Sequence, residues 1–257
     1  MKKNYFLALI AAICLTGITS CNEDDNGNGE IELTASPIKS IAFSAWGDTE
    51  LWEFSYDTSG KLTQFVNYWN NELDKTITYN YSTSGKLILN KDGSLYNTYD
   101  INAQGYITKD PDGNTYEYDA NGYLVKMYEF WDNANHLKYE ITITNKNITK
   151  ITTYDDDGVT VKKIKEFSYT SGDNVNNIHQ ANVIDSEWKQ MGNFYGKPSA
   201  KLVNYFEYWD PRTTPVEKSR SSITYTFDDK NRPITVVKTL TDQSTETWTY
   251  TYYEDEK

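Results

Sequence analysis

From about residue 31 onward, apolar and polar residues alternate with a period of two over long stretches of the chain. The clearest segments are residues 77–81, 141–144, 223–227 and 247–253. Each segment places Thr or Asn on one face and aromatic or aliphatic side chains on the other. This is typical of half-buried β-strands, because successive side chains of a strand point to opposite faces. Helical periodicity is nearly absent, so the pattern predicts an all-β fold.

Turn-forming residues separate these segments. Pairs that end in glycine occur at 59–60, 84–85, 92–93, 104–105, 112–113, 121–122 and 157–158. Asn-Gly and Asp-Gly pairs supply the positive φ angles that tight hairpins need. Short strands joined by such turns predict an antiparallel meander of about 14–18 strands.

The hairpins are repeated along the chain. Short units with a Tyr, a polar stretch, a Gly and an apolar residue lie at 56–62, 81–87, 99–107 and 118–124, with a decayed copy at 227–234. A longer unit recurs three times without gaps, at 61–71, 123–133 and 201–211. Each copy begins just after a turn or loop, reaches a Trp at its ninth position and continues with Asn or Asp. Repeated hairpins of this kind predict a β-meander.

Both faces of the long unit mix apolar and polar side chains. In the first copy, Phe65 shares a face with Asn67, and Val66 shares the other face with Gln64. A flat, one-sided sheet would segregate them, so we expect the meander to curve into a barrel or partial barrel. No strand has the outward apolar band that lipid requires, and this predicts a water-soluble barrel.

The N-terminus has the pattern of an export signal. Lys2 and Lys3 precede an apolar stretch at residues 5–15, and the sequence ITSC at 18–21 resembles a bacterial lipobox. These features predict a lipoprotein signal peptide at residues 1–20 and lipidation of Cys21. Two or three acyl chains on one cysteine anchor a protein stably in a membrane. The alternative is an ordinary secretory signal with an incidental cysteine.

Residues 21–36 are predicted to be the lipidated cysteine and a flexible tether, because residues 22–30 are acidic and rich in Asn and Gly. Residues 37–257 are predicted to be a single domain of hairpin repeats. Acidic residues directly after the lipidated cysteine also resemble the surface-export signal of Bacteroidetes-type lipoproteins. This favours a lipid anchor in the outer membrane with the protein on the cell surface.

Composition narrows the function classes. The chain has 257 residues, and its aromatic content of 15% indicates a folded protein. The formal net charge of −12 argues against nucleic acid as a partner. There are two cysteines: Cys14 leaves with the signal peptide and Cys21 carries the lipid. The mature domain therefore has no thiol for a disulfide, a nucleophile or a zinc site.

Catalytic motifs are absent from the sequence. The two histidines are His136, expected in a hairpin turn, and His179, in an irregular segment at about 174–199. There is no nucleophile-elbow motif, no phosphate-binding glycine loop and no metal-ligand spacing. The acidic residues concentrate in turns, where Asp is expected for backbone reasons. We therefore expect no cofactor, no metal and no enzymatic activity.

The repeats carry a family resemblance. The lipobox, the acidic tether, the Tyr-Asp hairpins with GKL turns and the stretch GKPSAKL at 196–202 resemble a family of Bacteroidetes lipoproteins. The domain of that family is described as one of unknown function with a porin-like fold. The resemblance covers about residues 38–253 and implies an antiparallel barrel or partial barrel, without assigned catalytic residues. The hairpins are also similar to the YD repeats of secreted Rhs-type shells.

Two function classes follow from this reading. The first is a surface binding or adhesion module for a glycan, a peptide or a host component. The second is a structural or accessory subunit of an outer-membrane complex, and a glycan-active hydrolase is a more distant alternative. A glycan binder should expose Trp or Tyr beside Asn and Asp, whereas a structural subunit should expose a broad apolar patch.

The candidate ligand-binding residues close the three long repeats. They are Trp69, Trp131 and Trp209, followed by Asn70, Asn71, Asp132, Asn133 and Asp210. If the repeats occupy equivalent places, the three indoles lie at one level and on one side of the sheet. They then either cap layers of the core or form an exposed platform on which a sugar stacks. In the second case the Asn and Asp side chains bind sugar hydroxyls.

Overall fold

A computed structural model describes residues 37–178 and 192–253. Within these residues the chain forms sixteen strands and no helix. Each strand pairs antiparallel with the next, and β1 pairs with β16 to close the barrel. The predicted all-β meander of hairpins is confirmed, and the sheet curves until it closes into a barrel. The predicted signal peptide, Cys21, the tether and His179 lie outside the described residues.

The strands are β1 (Ile38–Ala45), β2 (Asp48–Tyr56), β3 (Leu62–Trp69), β4 (Glu72–Asn80), β5 (Lys86–Lys91), β6 (Ser94–Ile101), β7 (Ile107–Lys109), β8 (Thr115–Tyr118), β9 (Leu124–Trp131), β10 (Ala134–Thr144), β11 (Asn147–Tyr154), β12 (Val161–Asp173), β13 (Lys201–Trp209), β14 (Ser219–Phe227), β15 (Pro233–Thr239) and β16 (Thr245–Tyr252).

The barrel has two different ends. The β1–β2 turn and every second connection after it lie at one end, which we call the upper rim. The remaining connections lie at the lower end, together with residues 37 and 253. Residues of the long β12–β13 connection cover part of the lower end. There the Ile107 amide donates to the Phe194 carbonyl at 2.7 Å, and the Phe194 ring stacks on Tyr79 with centroids 5.5 Å apart.

The core fills the inside of the barrel, because directly opposed residues on neighbouring strands share a face. Phe54, Phe65 and Ile77 are in register on β2, β3 and β4, and all three are almost wholly buried. Other large side chains that are fully buried are Leu62, Leu87, Leu89, Tyr99, Ile107, Leu202, Val203 and Val236. Each buried aliphatic or aromatic side chain of this size contributes about 1.5–3 kcal/mol of hydrophobic stabilisation.

The short repeat encodes a turn in which an Asp side chain caps the backbone. The Asp57 carboxylate accepts hydrogen bonds from the amides of Ser59 (2.8 Å) and Lys61 (3.0 Å), while Gly60 adopts a φ of +79°. A residue with a side chain rarely takes this left-handed conformation, which explains the glycine in four of the units. In the decayed copy Asn231 takes its place, with a φ of +59°. The same amide contacts are made by Asn102, Asp110, Asp119 and Asp228.

The outside of the barrel is rich in hydroxyl side chains. Thr226, Thr235, Thr249 and Ala42 form one outward-facing row across four neighbouring strands. No helix within the described residues is long and apolar enough to cross a membrane.

Candidate functional site

Trp69 lies at the upper rim and faces the inside of the barrel. It ends β3, in register between Glu50 of β2 and Glu72 of β4. The Trp52 indole, which is part of the core, donates a hydrogen bond to the Glu50 carboxylate at 2.8 Å, so these residues share the inner face. Because Trp69 is the last residue of its strand, 44% of its surface stays exposed at the barrel mouth.

Trp131 occupies the corresponding place at the end of β9. Its ring stacks on His136 with centroids 4.2 Å apart and an interplanar angle of 21°. His136 is paired across the strands with Glu129, and the Glu129 carboxylate lies 2.9 Å from the Lys138 ammonium. The hydrogen bond from Lys138 to Glu129 raises the pKa of Lys138. The indole keeps 42% of its surface exposed.

The expectation that His136 lies in a hairpin turn is wrong. The β9–β10 turn consists of Asp132 and Asn133 alone, so β10 begins at Ala134 and His136 lies on a strand. Its Nε2 atom is buried and has no hydrogen-bond partner among the described residues. The His136 ring stacks on Trp131, and 42% of the Trp131 surface remains exposed.

Trp209 does not share the side of the other two indoles. Phe206 of β13 faces the core beside Phe167, and three residues of strict alternation then place Trp209 on the outside. The Lys218 ammonium lies 4.0 Å from the centroid of the Trp209 ring. The expectation that all three indoles lie on one side of the sheet is therefore wrong for Trp209.

A β-bulge explains this reversal. In the first repeat Tyr56 pairs with Leu62, and Thr63 is the extra residue of the bulge. The second repeat has its bulge at the same position, but in the third repeat Tyr169 pairs with Val203 and the extra residue comes one position later. A shift of one residue moves every following side chain to the opposite face.

The polar candidates divide in a similar way. The Asp210 carboxylate is held by the Arg212 guanidinium through contacts of 2.9 and 2.7 Å, and these hydrogen bonds lower the pKa of Asp210 to about 2. Asn70 is also engaged, since its side-chain oxygen accepts the Thr49 amide at 3.0 Å. Asp132 is exposed at the tip of its turn with a φ of +50°. Of these three side chains, Asp132 is the one free to contact a ligand.

Exposed large hydrophobic residues concentrate at the upper rim. They are Trp46, Trp69, Leu73, Leu95, Tyr96, Phe130, Trp131, Val159 and Val216. The most exposed aromatic side chain among them, Trp46 at 70%, is missed by the repeat pattern because it lies outside the three long units. The signal that could have found it is a Trp-Gly pair between two alternating segments.

The rim is wide and acidic. Strands β4 to β8 separate Trp69 from Trp131 in the cyclic strand order, so these two indoles lie on different sides of the mouth. Acidic side chains of the rim include Asp48, Glu50, Glu72, Asp92, Asp112, Glu129, Asp132 and Asp156. No group of three or more His, Cys, Asp or Glu side chains in the described part of the chain is placed to hold a metal ion.

The closed meander of sixteen antiparallel strands defines the class of the protein as a single-chain β-barrel of porin-like form. Residues 54–235 match the model of a domain family described as a domain of unknown function (DUF4595) with porin-like fold, and the chain belongs to that family.

Crystal structures of two porin-like proteins are among those that share this fold. A porin-like protein from Bacteroides uniformis is similar with a TM-score of 0.66 and 19% identity, and the match covers 85% of this chain and 98% of the other. A porin-like protein from Bacteroides vulgatus is similar with a TM-score of 0.56 and 12% identity, covering 86% of this chain and all of the other. No curated protein matches the chain in sequence.

Proposed function

We propose that the protein is a lipid-anchored binding module of the cell surface whose upper rim binds a neutral glycan. The observation that carries the proposal is the pair of half-exposed, inward-facing indoles at the barrel mouth, Trp69 and Trp131. Each indole is followed directly by a two-residue turn of Asn and Asp side chains.

The chemistry of these groups suits a sugar. The face of an indole carries partial negative charge and attracts the polarised C–H groups on the apolar face of a pyranose ring. Carboxylate and carboxamide side chains next to such a ring bind hydroxyl groups and set the orientation of the ligand. Trp131, stacked on His136 and flanked by Asp132, provides both kinds of contact at one place.

Charge selects the kind of glycan. Because acidic side chains outnumber basic ones at the rim, although Lys138 pairs with Glu129 and Asp156, a uronate or sulfate group would meet net like charge there. Like-charge contacts across an interface are costly and suppress the wrong partners. The ligand that fits the rim is therefore a neutral oligosaccharide.

The position of the termini is consistent with a surface module. Residue 37 lies at the lower end, where the Tyr253 amide donates to the Pro37 carbonyl at 3.0 Å. A lipid on Cys21 would attach the barrel through this end of the chain, and residues 22–36 would separate it from the membrane. The upper rim lies at the opposite end of the barrel and would face outward.

The test is an array of neutral and acidic oligosaccharides probed with wild type and three single variants. Trp69→Ala and Trp131→Ala are expected to lose glycan binding with little change in melting temperature, because both indoles are half exposed. Trp209→Ala, on the outer wall, is the matched control and should bind like wild type. Absence of any glycan bound by wild type would eliminate the proposal, and so would equal binding by all three variants.

A stability measurement separates the platform from the alternative that the indoles are core residues. Truncation of a buried aromatic typically costs about 3–5 kcal/mol. Trp52→Ala removes an indole that is 4% exposed. Its loss of stability therefore measures the cost of removing a buried indole from this barrel. If Trp69→Ala destabilises the protein as much as Trp52→Ala does, Trp69 is a structural residue.

A second candidate function is supported by the aliphatic part of the rim. Leu73, Leu95, Val159 and Val216 are exposed on different hairpins of the same end. Apolar rims of this kind also mark contacts with other proteins, as in an accessory subunit of an outer-membrane complex. Cross-linking in intact cells through a cysteine introduced at Val159 tests it, with one introduced at Thr235 of the outer wall as the control. A discrete product with an outer-membrane protein for the first variant alone would favour this function.

A further inference from the structure

Trp46 lies at the tip of the β1–β2 hairpin in an unusual backbone conformation. The turn consists of Trp46 and Gly47, with φ angles of +50° and +91°. Two consecutive residues with positive φ form the type I′ corner that favours Asn-Gly and Asp-Gly pairs. A bulky side chain at positive φ is a genuine outlier, because its Cβ crowds the backbone.

The other two-residue hairpin turns of the barrel follow the rule that Trp46 breaks. They are Asn70-Asn71, Asp92-Gly93 and Asp132-Asn133 at the upper rim and Asn145-Lys146 at the lower end, and both residues of each turn have positive φ. All four begin with Asn or Asp, the residues that tolerate this conformation. The hairpin itself therefore does not require a Trp at position 46.

Packing does not require it either. The indole is 70% exposed, and among the described residues no ring stacks on it and no side chain hydrogen-bonds to it. A large apolar side chain in that environment contributes little hydrophobic stabilisation to the folded state. Strained residues that neither pack nor bond within a fold are concentrated at functional sites.

The β1–β2 tip lies directly beside the turn that follows Trp69. The Asn70 amide donates to the Thr49 carbonyl at 2.8 Å, and the Asn70 side-chain amide lies 3.4 Å from the Asp48 carboxylate. These contacts hold the two hairpin tips together across β2. Trp46 is thus the neighbouring exposed indole on the same side of the barrel mouth as Trp69.

We infer that Trp46 is a ligand-contacting anchor of the upper rim, which extends the sugar-binding surface of Trp69 by one further indole. The inference rests on the proposed function and names the residue that binds the adjoining sugar unit of the same neutral oligosaccharide. The left-handed turn projects this indole beyond the end of the sheet, and the fold retains it at the expense of hairpin stability.

The test replaces the strained residue by the one that the turn prefers. Trp46→Asn creates an Asn-Gly corner, which should raise the melting temperature by about 2–4 °C, the shift expected for about 1 kcal/mol in a domain of this size. Loss of a contacting indole should weaken oligosaccharide binding by about tenfold or more. Trp46→Phe, which keeps an aromatic face, should retain most of the affinity.

The matched control is Asn145→Asp, which changes the same corner of the β10–β11 turn, at the opposite end of the barrel, from one favourable residue to another. It should leave both affinity and melting temperature unchanged. The probes are cellohexaose, xylohexaose and mannohexaose, measured by calorimetry, together with the oligosaccharides of the array.

The outcomes separate the inference from the proposed function. If wild type binds none of these oligosaccharides, the proposed function fails and the anchor role fails with it. If wild type binds and Trp46→Asn binds equally well, the anchor role alone is overturned. A stabilised or equally stable Trp46→Asn variant with lost binding, rescued by Trp46→Phe, supports it. If binding is lost in a variant that also melts lower, and Trp46→Phe does not rescue it, Trp46 is a structural residue.

Discussion

The hydroxyl of Tyr81 donates a hydrogen bond to the main-chain carbonyl of Leu62 at 2.8 Å. Tyr225 makes the same bond to the carbonyl of Val203, also at 2.8 Å. Leu62 and Val203 each precede the residue that bulges out of β3 or β13. A bulge interrupts the ladder of hydrogen bonds and leaves backbone groups in need of partners. The repeated tyrosines therefore stabilise the bulges that curve the barrel.

Removing either hydroxyl should destabilise the barrel. We expect Tyr81→Phe and Tyr225→Phe each to lower the free energy of unfolding by about 1–2 kcal/mol, because a partly buried carbonyl loses its partner. Urea denaturation measures the effect. Tyr96→Phe is the control, since Tyr96 is an exposed rim residue and should show no loss. Equal stability of Tyr81→Phe and the control would contradict this role for the hydroxyl.

The capped turns should make stability depend on pH in a defined direction. The Ser59 hydroxyl donates to Asp57 and, together with the backbone amides of Ser59 and Lys61, lowers the pKa of Asp57, although some desolvation of the carboxylate opposes the shift. A carboxyl with a lowered pKa stabilises the folded state above its unfolded pKa, and this contribution is lost as the pH falls through its folded pKa. Wild type should therefore exceed Asp57→Asn in stability near neutral pH, and the difference should shrink in acid.

Asn102 allows the opposite substitution to be tested. Asn102 makes the same amide contacts with a neutral side chain, at 3.1 and 2.9 Å. Asn102→Asp should therefore gain stability relative to wild type as the pH rises, over the same range in which wild type gains its advantage over Asp57→Asn. Thermal melts of both variants across the acid range measure the effect. Identical pH dependence of wild type and Asp57→Asn would falsify the prediction.

A glycine at the lower end is predicted to be irreplaceable. A Cβ on Gly196 would lie 2.7 Å from the Gly122 carbonyl oxygen and 3.1 Å from the Leu124 nitrogen, and the φ of Gly196 is +89°. Gly196→Ala should separate the β12–β13 connection from β9 and cost more than about 3 kcal/mol.

Gly105→Ala is the matched control for this substitution. Gly105 has a similar φ of +85°, but nothing lies within 4 Å of its added Cβ. That variant should cost about 1–2 kcal/mol, the penalty for the left-handed conformation alone. Chemical denaturation compares the two variants, and an equal loss in both would show that the close approach at Gly196 is unimportant.

The predicted anchor is tested in cells. Wild type should partition into the detergent phase and fractionate with membranes, whereas Cys21→Ala should remain unlipidated and appear in the aqueous fraction. Surface proteolysis of intact cells then distinguishes the outer face of the membrane from the periplasmic face. Normal membrane retention of Cys21→Ala would argue against lipidation at this position.

The strands and turns could be predicted because they depend on short-range sequence patterns. Alternation identifies strands such as residues 247–253, and the Asp and Gly of the short repeat identify turns such as the one at 57–61. Closure of the barrel could not be predicted from these local patterns. It depends on pairs such as Ile41 with Tyr250, which come from opposite ends of the domain.

The candidate site was predicted only in part, for a related reason. Trp69 and Trp131 lie at the same rim and on the same face because their repeats bulge at the same position. The third repeat has the same length and spacing, yet its bulge lies one residue later and turns Trp209 outward. Trp46 was missed because it lies outside the repeats and only the structure shows its type I′ corner.

Closure through β1 and β16 has a consequence for the order of folding. Fifteen of the sixteen strand pairings join consecutive strands and can form as soon as each segment is available, but the last pairing joins Ser40 to Thr251, which are 211 residues apart. Formation of such a distant contact carries a large loop-closure entropy unless the intervening hairpins are already in place. The hairpins of the meander should therefore form progressively, and the pairing of β1 with β16 should follow as one late event. Until that event, both terminal strands present unpaired edges that are prone to aggregation.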